Sequence, residues 1–139
     1  MLKVNNIVTQ YGDIRVLHSV SIEIGDNEIV SIIGSNGAGK STLMNNIAGI
    51  VPVQSGSIEF DGCELIKMKG HQIVQNGVIL VPEGREIFPN MTVLENLEMG
   101  SYSIKRSKTE MKNKLEEMYS LFPRLAERKS QKAGSLSGG

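Results

Sequence analysis

The residues best equipped for chemistry are contiguous. Gly34-Ser35-Asn36-Gly37-Ala38-Gly39-Lys40-Ser41-Thr42 fill every fixed position of the phosphate-loop pattern GxxxxGK[ST]. Glycines let a backbone wrap around phosphates without Cβ collisions, so successive N–H groups and the positive end of a helix can point at one anion. In such a cradle Lys40 reaches the β- and γ-phosphates, and the Ser41 hydroxyl is placed to ligate Mg²⁺. A glycine-rich turn with a chance lysine is the bland alternative. It is weakened by the flanks, because residues 29–33 read as a buried strand and 42–48 as the helix after the loop.

The elements that must hold this loop are legible on both sides of it. Residues 2–9 and 16–24 read as two β segments joined by the turn Tyr11-Gly12-Asp13, with Val20, Ile22 and Ile24 alternating with Ser21 and Glu23. Tyr11 stands on an exposed turn, where its ring either stacks on a base or caps the sheet. Gly49 and Pro52 stop the loop helix, residues 57–60 form a short strand, and residues 63–76 hold a loop and one helix. The apolar run 78–81 has the length and continuity of a strand buried in a parallel sheet, and Pro82 stops it. Glu83-Gly84-Arg85-Glu86 therefore falls where open α/β sheets place their ligands.

From residue 90 the pattern becomes helical. Thr92-Val93-Leu94-Glu95 is a capping box opening a helix that Gly100 closes, and Ser107-Lys108-Thr109-Glu110 opens a longer one that Pro123 ends or kinks. Met111, Leu115, Met118, Tyr119 and Phe122 form one apolar stripe on that helix, which reads as core packing. The expected fold is α/β: an antiparallel N-terminal β subdomain, a partial parallel sheet carrying the phosphate loop, and a helical subdomain. The division expected is 1–89 and 90–139.

Composition narrows the function classes. The 139 residues are 40% hydrophobic and 22% charged, with 15 basic and 15 acidic side chains. That balance gives no field for recruiting nucleic acid, and the basic stretch from Lys105 to Lys114 reads as a solvated face. The single cysteine, Cys63, fits a reducing compartment. No apolar run is long enough to span a bilayer and no signal peptide opens the chain, so a cytoplasmic protein is expected. His71, with no partner pattern nearby, reads as a surface residue.

The phosphate loop, Glu83 at a strand end, the helical segment and the closing Leu136-Ser137-Gly138-Gly139 together resemble the ATP-binding cassette (ABC) ATPases, whose signature motif is Leu-Ser-Gly-Gly. The resemblance covers the whole chain. Residues 81–89 (VPEGREIFP), 91–97 (MTVLENL) and 121–128 (LFPRLAER) are similar to the ATP-binding subunits of branched-chain amino acid importers, where Glu rather than Gln is usual at the position of Glu83.

The resemblance implies an α/β phosphate-loop NTPase fold and a set of roles. Tyr11 would stack on adenine; Gly34, Ser35, Asn36, Gly37, Ala38, Gly39, Lys40, Ser41 and Thr42 would hold ATP; Ser41 and Glu83 would serve Mg²⁺, Glu83 through water. Ser137, Gly138 and Gly139 would bind the ATP of a second cassette in a head-to-tail dimer, and integral membrane permease subunits would be the remaining partners, at the cytoplasmic face of the inner membrane. The Walker B strand with its catalytic carboxylate, and the switch histidine, come after the signature in this family. The 139 residues are therefore expected to bind ATP without hydrolysing it, and to be marginally stable. Two other readings remain at this level: an importer ATPase for another solute such as urea, and a soluble ABC-type ATP switch in DNA repair or translation.

Overall fold

The computed structural model describes residues 1–104 and 107–136. The chain divides into two compact units, residues 1–81 and 82–139. In the first, β1 (Leu2–Tyr11), β2 (Ile14–Ile24), β3 (Ser55–Phe60) and β4 (Cys63–Glu64) form an antiparallel sheet in the order β2-β1-β3-β4. Alternation sets its register. Val4 lies opposite Ile22 on one side and Ile58 on the other, and Leu2 opposite Ile24 and Phe60, so one pleated face is apolar across three strands. Two helices supply the remainder of the core, α1 (Lys40–Ile47) through Leu43 and Ile47 and α2 (Gly70–Gln75) through Ile73.

The runs at 29–33 and 78–81 depart from expectation. Neither is in a β-ladder, and every strand pairing among the described residues is antiparallel. Ile29 and Ile33 are 96% and 94% exposed, and Ile79 and Val81 are 70% and 86% exposed. The physical reason is pairing: a strand from the middle of a parallel sheet is ordered by ladders on both edges and by cover on both faces. The described residues offer these two runs neither.

The second unit is helical, with α3 (Val93–Gly100), α4 (Lys108–Leu121) and α5 (Pro123–Glu127). Both expected capping boxes form. The Thr92 and Ser107 hydroxyls accept from the backbone N–H of Glu95 and Glu110, while each glutamate accepts from the backbone N–H of its cap residue. Pro123 ends α4 and takes the first position of α5, where its missing N–H costs nothing. The apolar stripe of α4 is less covered than expected: Met111, Leu115, Met118 and Tyr119 are half-buried, and Phe122 is 57% exposed.

Candidate nucleotide-binding site

The loop at 34–42 is built as an anion cradle. Gly39 is the N-cap of α1 with φ +90°, and Gly37 has φ +84°. The two glycines do different work. A Cβ on Gly37 would meet open space, whereas one on Gly39 would stand 2.6 Å from the Leu17 side chain and 3.4 Å from the Val16 carbonyl oxygen. The loop is thus pressed against β2. A turn closes it, the Ala38 N–H donating to the Ser35 carbonyl at 3.2 Å, and α1 begins at once, with Leu43 N–H donating to the Gly39 carbonyl at 2.9 Å.

Charge at this corner favours an anion. The first turn of α1 carries no acidic side chain, so its free N–H groups keep their partial positive charge. Lys40 Nζ donates to the Gly34 and Ser35 carbonyls, both at 2.8 Å, which holds the ammonium across the loop. The Ser41 side chain is exposed on the first turn while Thr42 is buried. These donors fit a phosphate chain, and the Ser41 hydroxyl stands exposed beside them. Among the described residues no group of three or more His, Cys, Asp or Glu side chains could hold a metal alone. A divalent ion here would need ligand oxygens from a phosphate chain.

Tyr11 ends β1 opposite Ile14 and is 48% exposed. It belongs to the same hairpin whose second strand supplies Val16 and Leu17 to the floor under Gly39. Asn46 escapes a reading of the sequence. It is 3% exposed, its Oδ1 accepting from Thr9 Oγ1 at 2.8 Å and its Nδ2 donating to the Val51 carbonyl at 2.9 Å, so it ties α1 to β1 and to the turn beyond the helix. The available signal is an asparagine, a poor helix former, on the buried face of a short helix.

Glu83 falls in the second unit, exposed, on a segment without regular structure. The loop belongs to the first unit. The chain beyond Glu83 is tightly held. Asn96 Oδ1 accepts from the Phe88 N–H at 2.8 Å, and its Nδ2 donates to the Thr92 carbonyl at 2.8 Å and the Phe88 carbonyl at 3.1 Å. This clamp, also invisible in the sequence, shapes one wall of an apolar groove of about 410 Å³ lined by Ile87, Phe88, Val93, Leu97, Leu125 and Leu136 among others. Ser137, Gly138 and Gly139 lie outside the described residues. No described helix is long and apolar enough to cross a membrane.

Comparison with known proteins agrees with this geometry. The ABC transporter family model matches residues 17–139. Over all 139 residues the chain is 43% identical to the high-affinity branched-chain amino acid transport ATP-binding protein BraG of Pseudomonas aeruginosa, covering 59% of that protein. It is 34% identical, again over its full length, to the probable branched-chain amino acid transport ATP-binding protein LivF of Archaeoglobus fulgidus, covering 58% of it. Two solved structures superpose on 99% of the chain: a nucleotide-free ATP-binding cassette from an ABC transporter (TM-score 0.80, 28% identity, 59% of that chain) and an ATP-binding subunit of an ABC transporter (TM-score 0.83, 27% identity, 56% of that chain). The chain belongs to the ABC transporter ATP-binding family, with the α/β fold of its phosphate-loop cassettes. It spans about three fifths of the length of the relatives it matches.

Proposed function

We propose that this chain supplies the nucleotide cradle and the membrane-facing helical part of an ABC importer's ATP-binding subunit, and that the importer takes up branched-chain amino acids. The observation that carries the importer reading is the apolar groove beside Phe88, which the segment after Glu83 and α3 build together. On this reading its occupant is a short helix of a permease subunit at the cytoplasmic membrane face, laid with its apolar side in the groove. The identity to BraG and LivF supports the choice of solute class over urea or another cargo.

The residues divide the work as their positions suggest. The N–H groups of Gly37 and Gly39 and the start of α1 hold the phosphate chain, and Lys40 turns from the Gly34 and Ser35 carbonyls toward the terminal phosphates. Tyr11 stacks on the adenine, and Ser41, with Glu83 through water, would hold Mg²⁺, which when bound neutralises phosphate charge. Ser137, Gly138 and Gly139 engage the nucleotide of a second cassette in a head-to-tail dimer. No nucleic acid takes part.

The test is purification of the full-length subunit from membranes together with an uptake assay. Co-purification with two integral membrane proteins, and ATP-dependent leucine uptake abolished by Lys40→Ala, are expected. Co-purification with nucleic acid or ribosomes instead would overturn the importer reading.

A further inference from the structure

Helix α1 is fixed to the β1–β2 hairpin at both of its ends, and both fixings fall on one rung of the ladder. Thr9 of β1 lies opposite Leu17 of β2. At the start of α1 the Gly39 backbone is pressed on Leu17, where a Cβ would stand 2.6 Å from the leucine side chain. At the far end Asn46 Oδ1 accepts from Thr9 Oγ1 at 2.8 Å, with Thr9 0% and Asn46 3% exposed. The next rung pairs Gln10 with Arg15, so Val16 is an extra residue on β2, and its carbonyl approaches Gly39. β1 carries no extra residue there. Alternation therefore sets Tyr11 on the same face of the strand as Thr9, the face turned to α1.

We propose that Thr9 is a positioning residue, whose bond to Asn46 fixes α1 along its own axis and so sets the reach from the phosphate loop to the Tyr11 ring. The apolar side chains of α1 in the core, Leu43 and Ile47, supply adhesion without direction. They tolerate a slide. A hydrogen bond between two buried side chains does not, because either group left alone loses its partner where no water replaces it. A slide of one residue is about 1.5 Å of helical rise. A nucleotide seated by its phosphates travels with the helix, and a displacement of that size carries its base across the ring while the cradle stays intact. The inference rests on the phosphate-binding and adenine-stacking roles given above.

The experiment uses the full-length subunit with Thr9→Val, which keeps the shape and removes the hydroxyl, and Thr9→Ser, which keeps the hydroxyl. Thr9→Ala makes the same deletion at smaller volume if Thr9→Val does not fold. Calorimetry compares ADP affinity, which needs cradle and ring, with pyrophosphate affinity, which needs the cradle alone. Thr9→Val is expected to weaken ADP binding on the order of tenfold, within the worth of stacking one base on one aromatic ring, with pyrophosphate binding unchanged. Thr9→Ser is expected to keep the wild-type ratio of the two affinities. In a Tyr11→Ala background Thr9→Val should cost ADP binding nothing further, since the ring it aligns is gone. A wild-type ratio in Thr9→Val overturns the inference, as does a ratio lost in Thr9→Ser or an additive loss in the double variant. So does equal weakening of both ligands with a lower melting temperature, which marks a merely structural role. Wild-type ADP affinity in Tyr11→Ala overturns the stacking reading itself, and this inference with it.

Discussion

Two glycines two residues apart show how much a position can mean. Gly39→Ala combines a left-handed φ with a 2.6 Å collision at Leu17, and should cost about 2 to 4 kcal/mol of stability. Gly37→Ala meets only the left-handed penalty, about 1 to 2 kcal/mol. Denaturant midpoints of the two variants check the ranking, and equal midpoints would contradict it. Asn46→Ala leaves the Thr9 hydroxyl and the Val51 carbonyl without their partner and is expected to cost about 2 to 3 kcal/mol. Lys40→Ala should leave stability almost unchanged, since Lys40 bonds only exposed loop carbonyls, while abolishing Mg·ATP binding by calorimetry. The phosphate loop is legible in the sequence because its glycines and lysine stand at fixed spacing. Asn46 and Asn96 are not, because each gains its meaning from partners that no local pattern names: Thr9 for one, the Phe88 backbone for the other.

At the level of elements, legibility depends on where a segment finds its partners. The β1–β2 hairpin and the capped helices α3 and α4 are specified locally, by alternation and by capping residues, and they form at nearly the expected bounds. The runs at 29–33 and 78–81 have the composition of central strands, but a strand is a relation between segments. Composition states the tendency and says nothing of whether a neighbour is at hand. The cap of α3 carries a pH dependence. The Thr92 N–H and hydroxyl donate to the Glu95 carboxylate and hold its pKa below the ordinary value of 4.5. A carboxyl that gives up its proton more readily when folded adds stability above its unfolded pKa and loses it as pH falls through the folded value. Wild type should therefore exceed Glu95→Gln in stability at neutral pH, and the gap should close as the pH drops below about 4.5. Urea melts of both proteins across that range measure it, and a gap constant with pH would contradict the cap's role.

For the molecule as a whole, the decisive feature is apolar surface that the described residues leave open. Ile29, Ile33, Ile79 and Val81 face outward, while the first unit keeps a core of Val4, Ile7, Leu17, Ile58 and their neighbours. Exposed aliphatic runs with unpaired backbone are association surfaces. The 139-residue chain is expected to self-associate with rising concentration and to melt broadly. Ile33→Lys together with Val81→Lys should reduce the association without lowering the melting temperature, because neither side chain is packed. Sedimentation velocity checks this, and a monomer with a sharp melt would contradict it.

The order of strands in the first sheet bears on how the chain is made. β1 is central, pairing with β2 directly behind it and with β3 a short way on, and the sheet is complete by Glu64. Every ladder in it joins segments already synthesised at that point. Translation adds roughly 5 to 20 residues per second, and hairpins close in microseconds, so chain supply is the slow step. The N-terminal sheet can thus assemble as a nascent structure before the helical unit exists. By then the apolar run at 29–33 has emerged as well, uncovered by the sheet that has already formed. That interval, set by the ribosome rather than by any equilibrium, is when a chaperone has most to protect.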